Sequence, residues 1–344
     1  MQYIPALDGL RAVAISGVLL FHTGLLPGGF LGVDVFFVLS GFLITSIFLY
    51  ARDSFGSLGF CYFYTRRAVR ILPAFLVFAV AALLYGYIIT KPEWDHLPWA
   101  LSFTMNWRLA VQDSPTWGGL LSPIWSLSIE EQFYLLWPFV LVAVLKAKAS
   151  ARPWIIAAAI LIVALWRFHL SAYGHPMRTY NGFDTRADAL LVGCLLALWP
   201  SDGLGRWAAR IYLVPLTGLL IAAVVTTWDS PIVHQIGFSL AAISAGVIIA
   251  AVQQPGTIIG YWLSHGPVCL MGKLSYSLYL WHELAFDLPR HLGIHGQRPL
   301  GLIFALVMAA GSYYWIERPC LRWHSRRAEA RRGGALEPSP ASQA

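Results

Sequence analysis

Apolar windows of roughly 17–23 residues recur ten times along this chain, a length that crosses the hydrocarbon core of a bilayer as a helix. They fall at 7–26, 31–50, 69–90, 127–145, 153–170, 187–200, 211–228, 234–252, 270–288 and 299–316. The sixth is short. Few folds accept such a pattern, and it predicts an all-α integral membrane protein, a bundle of about ten transmembrane helices. Composition agrees: 58% of residues are hydrophobic and only 12% charged, about half the charged share of a soluble chain. Fifteen Trp and fifteen Tyr suit a protein with many water–lipid boundaries, where amphipathic rings collect.

Basic residues orient the bundle. With the N-terminus placed in the cytoplasm, the inner segments hold sixteen Lys and Arg and the outer segments seven, with Arg11 inside a span. That bias predicts both termini cytoplasmic and accounts for the net charge of +7 without a nucleic-acid partner. The partner implied is the lipid bilayer, in a cell's inner (cytoplasmic) membrane. The first 25 residues lack a basic n-region, and Arg11 interrupts their apolar run, so the first span should be retained. Residues 1–323 read as one polytopic domain, with 324–344 a basic, then Ala/Ser/Pro-rich tail expected to be disordered in the cytoplasm. No soluble domain is expected at either end. Cys61, Cys194, Cys269 and Cys320 form no CxxC or other framework and should be free thiols.

Chemistry concentrates in residues 8–46, DGLRAVAISGVLLFHTGLLPGGFLGVDVFFVLSGFLITS. Ionisable groups at membrane depth are expensive to insert and point to function. Arg11 and His22 are eleven residues apart, nearly on one helix face and about 16 Å apart along it. The first span runs outward and the second inward, so Asp34 starts the second at the level of His22. A carboxylate on one imidazole nitrogen would fix the tautomer and leave the other free as a base; Asp34 also suits a helix N-cap.

Four other stretches carry polar groups into spans. In WSLSIEEQFYLLWP, Ser128 and Glu131 have capping-box spacing, but Glu130 and Glu131 point about 100° apart, so one cap cannot use both. Either is expected as a buried partner of Arg11, Arg186 or substrate. YTRRAVRILPA brings Arg66, Arg67 and Arg70 to the cytoplasmic start of span 3, where guanidinium groups and a helix N-terminus favour a phosphate; a positive-inside anchor is the plainer reading. GKLSYSLYLWHELAF puts Ser275, Tyr279 and His282 on one face. FDTRADALLVG sets Asp184, Arg186 and Asp188 at an outer entrance, with a mutually neutralised cluster as the plainer reading. The loop 91–126, with Trp94, Trp99, Trp107, Trp117 and Trp125, suits an interfacial or re-entrant segment, a platform for sugar rings, or a plain aromatic belt; 171–186 suits a hydrophilic acceptor. No HExxH, GxSxG or Walker pattern supports metal, flavin or ATP chemistry.

These motifs, in this order, resemble the membrane acyltransferase-3 family. YIPALDGLRAVAISGVLLFH carries the family's Arg-x10-His pattern at Arg11 and His22, and RRAVRILPA its Arg-x-x-Arg pair at Arg67 and Arg70. FLGVDVFFVLSGFLI, WSLSIEEQFYLLWP, FDTRADALLVG, GKLSYSLYLWH and the closing IERP extend the likeness to about residue 323. Some relatives append an SGNH hydrolase-like domain; this chain resembles the stand-alone type. The resemblance implies transfer of an acyl group, most often acetyl from acetyl-CoA as co-substrate with no resident cofactor, onto a hydroxyl of a carbohydrate or lipid-linked glycan. Macrolide-like acceptors also occur in the family.

The combined expectation has catalytic residues His22, Arg11, Asp34, Glu130 and Glu131. Arg66, Arg67 and Arg70 hold the acyl-CoA phosphates, and Arg186, Asp188, Tyr279 and His282 face the acceptor. His22 serves as base, oriented by Asp34. A transporter or glycan exporter is the rival class, but no second copy of the 8–46 pattern is found.

Overall fold

The computed structural model describes residues 3–90, 93–112, 119–199, 201–294 and 297–334, and every regular element among them is helical. In chain order these are α1 (Pro5–His22), α2 (Gly32–Phe55), α3 (Gly59–Ile88), α4 (Leu97–Leu101), α5 (Met105–Ala110) and α6 (Ile124–Leu145). Next come α7 (Arg152–Ser171), α8 (Pro176–Asn181), α9 (Phe183–Leu198), α10 (Ser201–Ile211) and α11 (Leu213–Val225). The last are α12 (Phe238–Val252), α13 (Ile258–Leu263), α14 (Gly266–His291), α15 (Gln297–Ser312) and α16 (Arg318–Gly334).

Each of the ten apolar windows falls on a helix. By length and apolarity, six stretches can cross a membrane, or seven if the pair α10–α11, bent by 54°, is one span. The difference from ten has physical causes. One stretch, Gly29–Ile88, holds both α2 and α3, which fold back on each other at Gly56, whose φ of +53° favours glycine. Helix α9 has 16 residues, a little short of a bilayer, and α14 carries Lys273, His282, Glu283, Asp287 and Arg290. Beyond residue 323, where the tail was expected to be disordered, α16 continues to Gly334 through the helix formers of RRAEARR.

Two helix pairs set the geometry. Helices α1 and α14 approach until a Cβ on Gly272 would lie 1.8 Å from the Asp8 carbonyl oxygen, and Gly9 of α1 meets the Leu263 carbonyl at the end of α13 in the same way. Between α2 and α9, a Cβ on Gly41 would lie 1.8 Å from the Leu190 carbonyl oxygen, and one on Gly193 would lie 2.0 Å from that of Val38. Small residues at such crossings let backbones touch, as packing without a hydrophobic driving force requires. The bundle core is built of Ile15, Phe37, Leu39, Phe48, Phe63 and Phe78. The four cysteines are free.

The tryptophan-rich loop is pinned by its own polar groups. The Glu93 carboxylate accepts from the backbone N–H of Leu120 at 2.6 Å and Leu121 at 3.2 Å. Gln132 donates to the Phe103 carbonyl at 2.7 Å and to Asn106 at 2.8 Å. Lys91 and Trp117 lie outside the described residues.

Candidate active site

His22 closes α1, so its ring hangs at the helix end, about a third exposed, where the chain turns through Gly24 (φ +72°). Its Nδ1 meets Glu283 Oε1 of α14 at 2.8 Å. The carboxylate can only accept, so Nδ1 carries the proton and Nε2 remains free as a base. His282, fully buried on the same turn of α14, lies edge to face with His22 at 4.6 Å between centroids. Its Nδ1 donates to the Tyr279 carbonyl at 2.6 Å, and its Nε2, without a hydrogen-bond partner, is 3.7 Å from Glu283 Oε1. The donor atoms of His22, His282 and Glu283 lie within 4.8 Å of one another, a set that could also reach one metal ion.

Asp34 does not orient His22. It is fully buried on α2, and its Oδ1 faces Arg186 Nη2 of α9 at 3.0 Å, because the close crossing of α2 and α9 turns both side chains into one pocket. Arg186 is itself 1% exposed and lies over the Phe238 ring at 3.6 Å. Asp188 is taken by Arg167, Nη1 to Oδ1 at 2.8 Å, and accepts from Ser239 at 2.8 Å. Arg167, one of the seven basic residues assigned to the outer segments, is fully buried and also donates to the carbonyls of Thr185 and His234. Arg186 and Asp188, expected to face an acceptor, are thus walled into the core; Asp184 pairs with Arg178 at 2.6 Å nearer the surface.

At the other end of α1, Arg11 lies 3.8 Å from Asp8 and lines a cavity of about 450 Å³ with Arg66, Arg67, Arg70 and Lys273. The guanidinium of Arg67 lies over the Tyr134 ring at 4.5 Å, and Arg70 meets Glu317 at 3.3 Å. Glu317 also accepts from Ser277 and lies in a π-turn, Tyr313–Glu317, an irregularity often found at functional sites. Arg66 donates to the Tyr62 hydroxyl at 3.0 Å. Glu130 accepts from the Ser40 hydroxyl, with Arg67 and Arg11 within electrostatic reach. Glu131 is half-buried near Arg67, and its Oε1, sealed from solvent, has no hydrogen-bond partner.

Neighbouring cavities that share lining residues lie between the two ends. A narrower one of about 100 Å³ shares Arg11, Arg67 and Arg70 with the basic cavity and reaches Ser126 and Tyr279. Tyr279 also borders a third, of about 360 Å³, that contains His22, Glu283, Trp125, Tyr180 and Trp228. The Tyr279 hydroxyl accepts from Ser126 at 2.6 Å and donates to the Pro123 carbonyl at 3.1 Å. A fourth, beyond His22, is lined by Phe21, Thr23, Gly24, Arg290 and Arg298. The site is therefore a row of chambers along α1.

Sequence reasoning missed Glu283 and Glu317. Each left a signal: an acid inside the apolar window 270–288, and the acid of IERP at the end of the last one.

Comparison with known proteins shows the family. The family model described as "Acyltransferase domain" matches residues 4–318. The O-acetyltransferase OatA of Staphylococcus aureus (strain NCTC 8325 / PS 47) is 34% identical, over 92% of this chain and 57% of its own length. A Bacillus subtilis (strain 168) protein provisionally named peptidoglycan O-acetyltransferase YrhL is 33% identical, over 96% of this chain and 57% of its own. The chain thus spans a little over half the length of the curated relatives it matches. No solved structure matches. The Arg-x10-His span, the arginines of α3 and the extent of the match lead to one conclusion: this chain belongs to the acyltransferase-3 family.

Proposed function

We propose that the chain is a membrane O-acyltransferase that moves an acyl group, acetyl from acetyl-CoA, onto a hydroxyl of a cell-envelope carbohydrate. The observation that carries this reading is the His22–Glu283 pair at 2.8 Å, set in a row of cavities that begins among four arginines. In the proposed bundle the ten helices that carry the apolar windows cross the inner membrane, both termini are cytoplasmic, and the basic cavity faces the cytoplasm. Arg66, Arg67 and Arg70 hold the phosphates of coenzyme A by charge-assisted hydrogen bonds, and its pantetheine arm passes Arg11 and Tyr279. The ~16 Å between Arg11 and His22 is then the depth that a cofactor arm must span.

At the outer end the acceptor hydroxyl gives its proton to His22 Nε2 as its oxygen attacks the thioester carbonyl. Glu283 stabilises the imidazolium that forms, and collapse of the tetrahedral intermediate breaks the carbon–sulfur bond. His22 returns the proton to the departing thiolate, so the site ends as it began. His282 packs behind the His22 ring and restricts it. The names of relatives place O-acetyl transfer, in one case to peptidoglycan, among related proteins, which favours a glycan over a macrolide-like acceptor.

Purified protein should release CoA thiol from acetyl-CoA when a glycan is added, which a transporter would not do. His22→Ala should abolish this while leaving folded, membrane-inserted protein; near-normal release would sink the assignment. Because the reading is acid–base, chelation with EDTA should leave release intact; loss restored by a divalent metal would instead favour ligation by His22, His282 and Glu283. Orientation has a native probe in Cys61, which is exposed near the start of α3. A membrane-impermeant maleimide should label it only after cells are opened.

A further inference from the structure

The space beyond His22 holds two guanidinium groups that the acid–base pair does not use. Arg290, in the last turn of α14, lines both chambers next to His22, and Arg298, in the first turn of α15, lines the outer one. The Arg290 side chain is 68% exposed and lies 3.7 Å from Asp287, an acid already held by Tyr85 at 2.9 Å and His291 at 3.0 Å. Among the described residues Arg298 makes no ion pair. Its guanidinium lies beside Gly24, where a Cβ would stand 3.6 Å from Nη2.

Elementary electrostatics explains one of these arginines and not the other. The C-terminus of a helix favours a cation, as at Arg290, whereas an N-terminus disfavours one, as at Arg298. Insertion does not explain either, since arginine is depleted on the outer side, where the proposed orientation puts both. The two acids of this region are engaged, Glu283 by His22 and Asp287 by Tyr85 and His291. The opposite wall is aromatic, with Phe21, Trp125, Tyr180 and Trp228, faces on which a sugar ring can lie.

We propose that Arg290 and Arg298 bind an acidic group, carboxylate or phosphate, on the acceptor, so that the substrate class is an anionic glycan whose free hydroxyl is presented to His22. The proposal rests on the acyl-transfer reading for its placement, yet it is testable without turnover. Equilibrium binding to the purified full chain would use three probes: a neutral N-acetylglucosamine tetrasaccharide, a tetrasaccharide of the same linkage with carboxylate-bearing sugars, and a phosphorylated one. At low salt an acidic probe should bind about tenfold or more tighter than the neutral one. The Arg290→Gln/Arg298→Gln double variant should lose that margin, and the double Lys variant should recover part of it. Which acidic probe gains more identifies the group. Equal affinity for neutral and acidic probes, or a loss in the Gln variant that falls equally on all three, would overturn the proposal. The measurement needs no acyl donor, so a protein that prefers acidic probes but releases no thiol refutes the acyl-transfer reading alone.

Discussion

Helices α1 and α14 and helices α2 and α9 both cross with glycine against backbone, and each crossing brings an acid to a base with opposite results. At the first, His22 and Glu283 are 30% and 25% exposed and open onto cavities. At the second, Asp34 and Arg186 are sealed, with an aromatic ring over the guanidinium. The difference is position along the helix. His22 is the last residue of α1 and projects past the crossing, whereas Asp34 and Arg186 lie one turn inside their helices and face each other across it. The two distances are nearly the same, and what differs is accessibility and a partner that can titrate, which under the proposed function makes one pair chemical and the other architectural.

The largest expected effect tests the open pair: His22→Ala should lower the rate of acyl transfer about 10³-fold or more, within the range general base catalysis supplies, with the melting temperature unchanged. Glu283→Gln keeps the shape but not the charge, and kcat should fall about 10²-fold with little change in KM. A variant with near-normal kcat would show that Glu283 only packs. The sealed pair should behave in the reverse sense. Asp34→Leu strands a buried guanidinium and should cost about 3 kcal/mol of stability, seen as a lower melting temperature, while activity per folded molecule is largely kept; loss of turnover at full stability would place Asp34 in the chemistry after all. The smallest effect concerns the basic chamber, where Arg67→Ala should raise KM for acetyl-CoA about tenfold while kcat changes less. An unchanged KM would remove Arg67 from the donor site.

The helices were legible because a bilayer leaves so little freedom: every apolar window became a helix. That Arg11 and the α3 arginines share one cavity and His22 lies at the other end of α1 was legible from their places along the spans. What could not be read was which acid meets which base. Asp34 and Glu283 both reach the level of His22, one from α2 and one from α14, and α1 packs against both helices. Only the helix contacts decide, and Gly41 and Gly193 draw Asp34 toward α9 instead. The burial of Arg167 was hidden for a related reason: a loop-edge arginine and a buried one look alike until Asp188 and Ser239 are seen around it.

The contact of Gly272 with the Asp8 carbonyl has a mechanical corollary. A methyl group there would press on backbone, which cannot swing aside as a side chain can, so relief comes only by levering α1 and α14 apart. His282 and Glu283 lie on that same rigid rod, some ten residues or ~15 Å farther along. Small displacements at the fulcrum therefore arrive at the His22–Glu283 gap, and the spacing of the two reacting groups is calibrated from far outside the chamber they occupy.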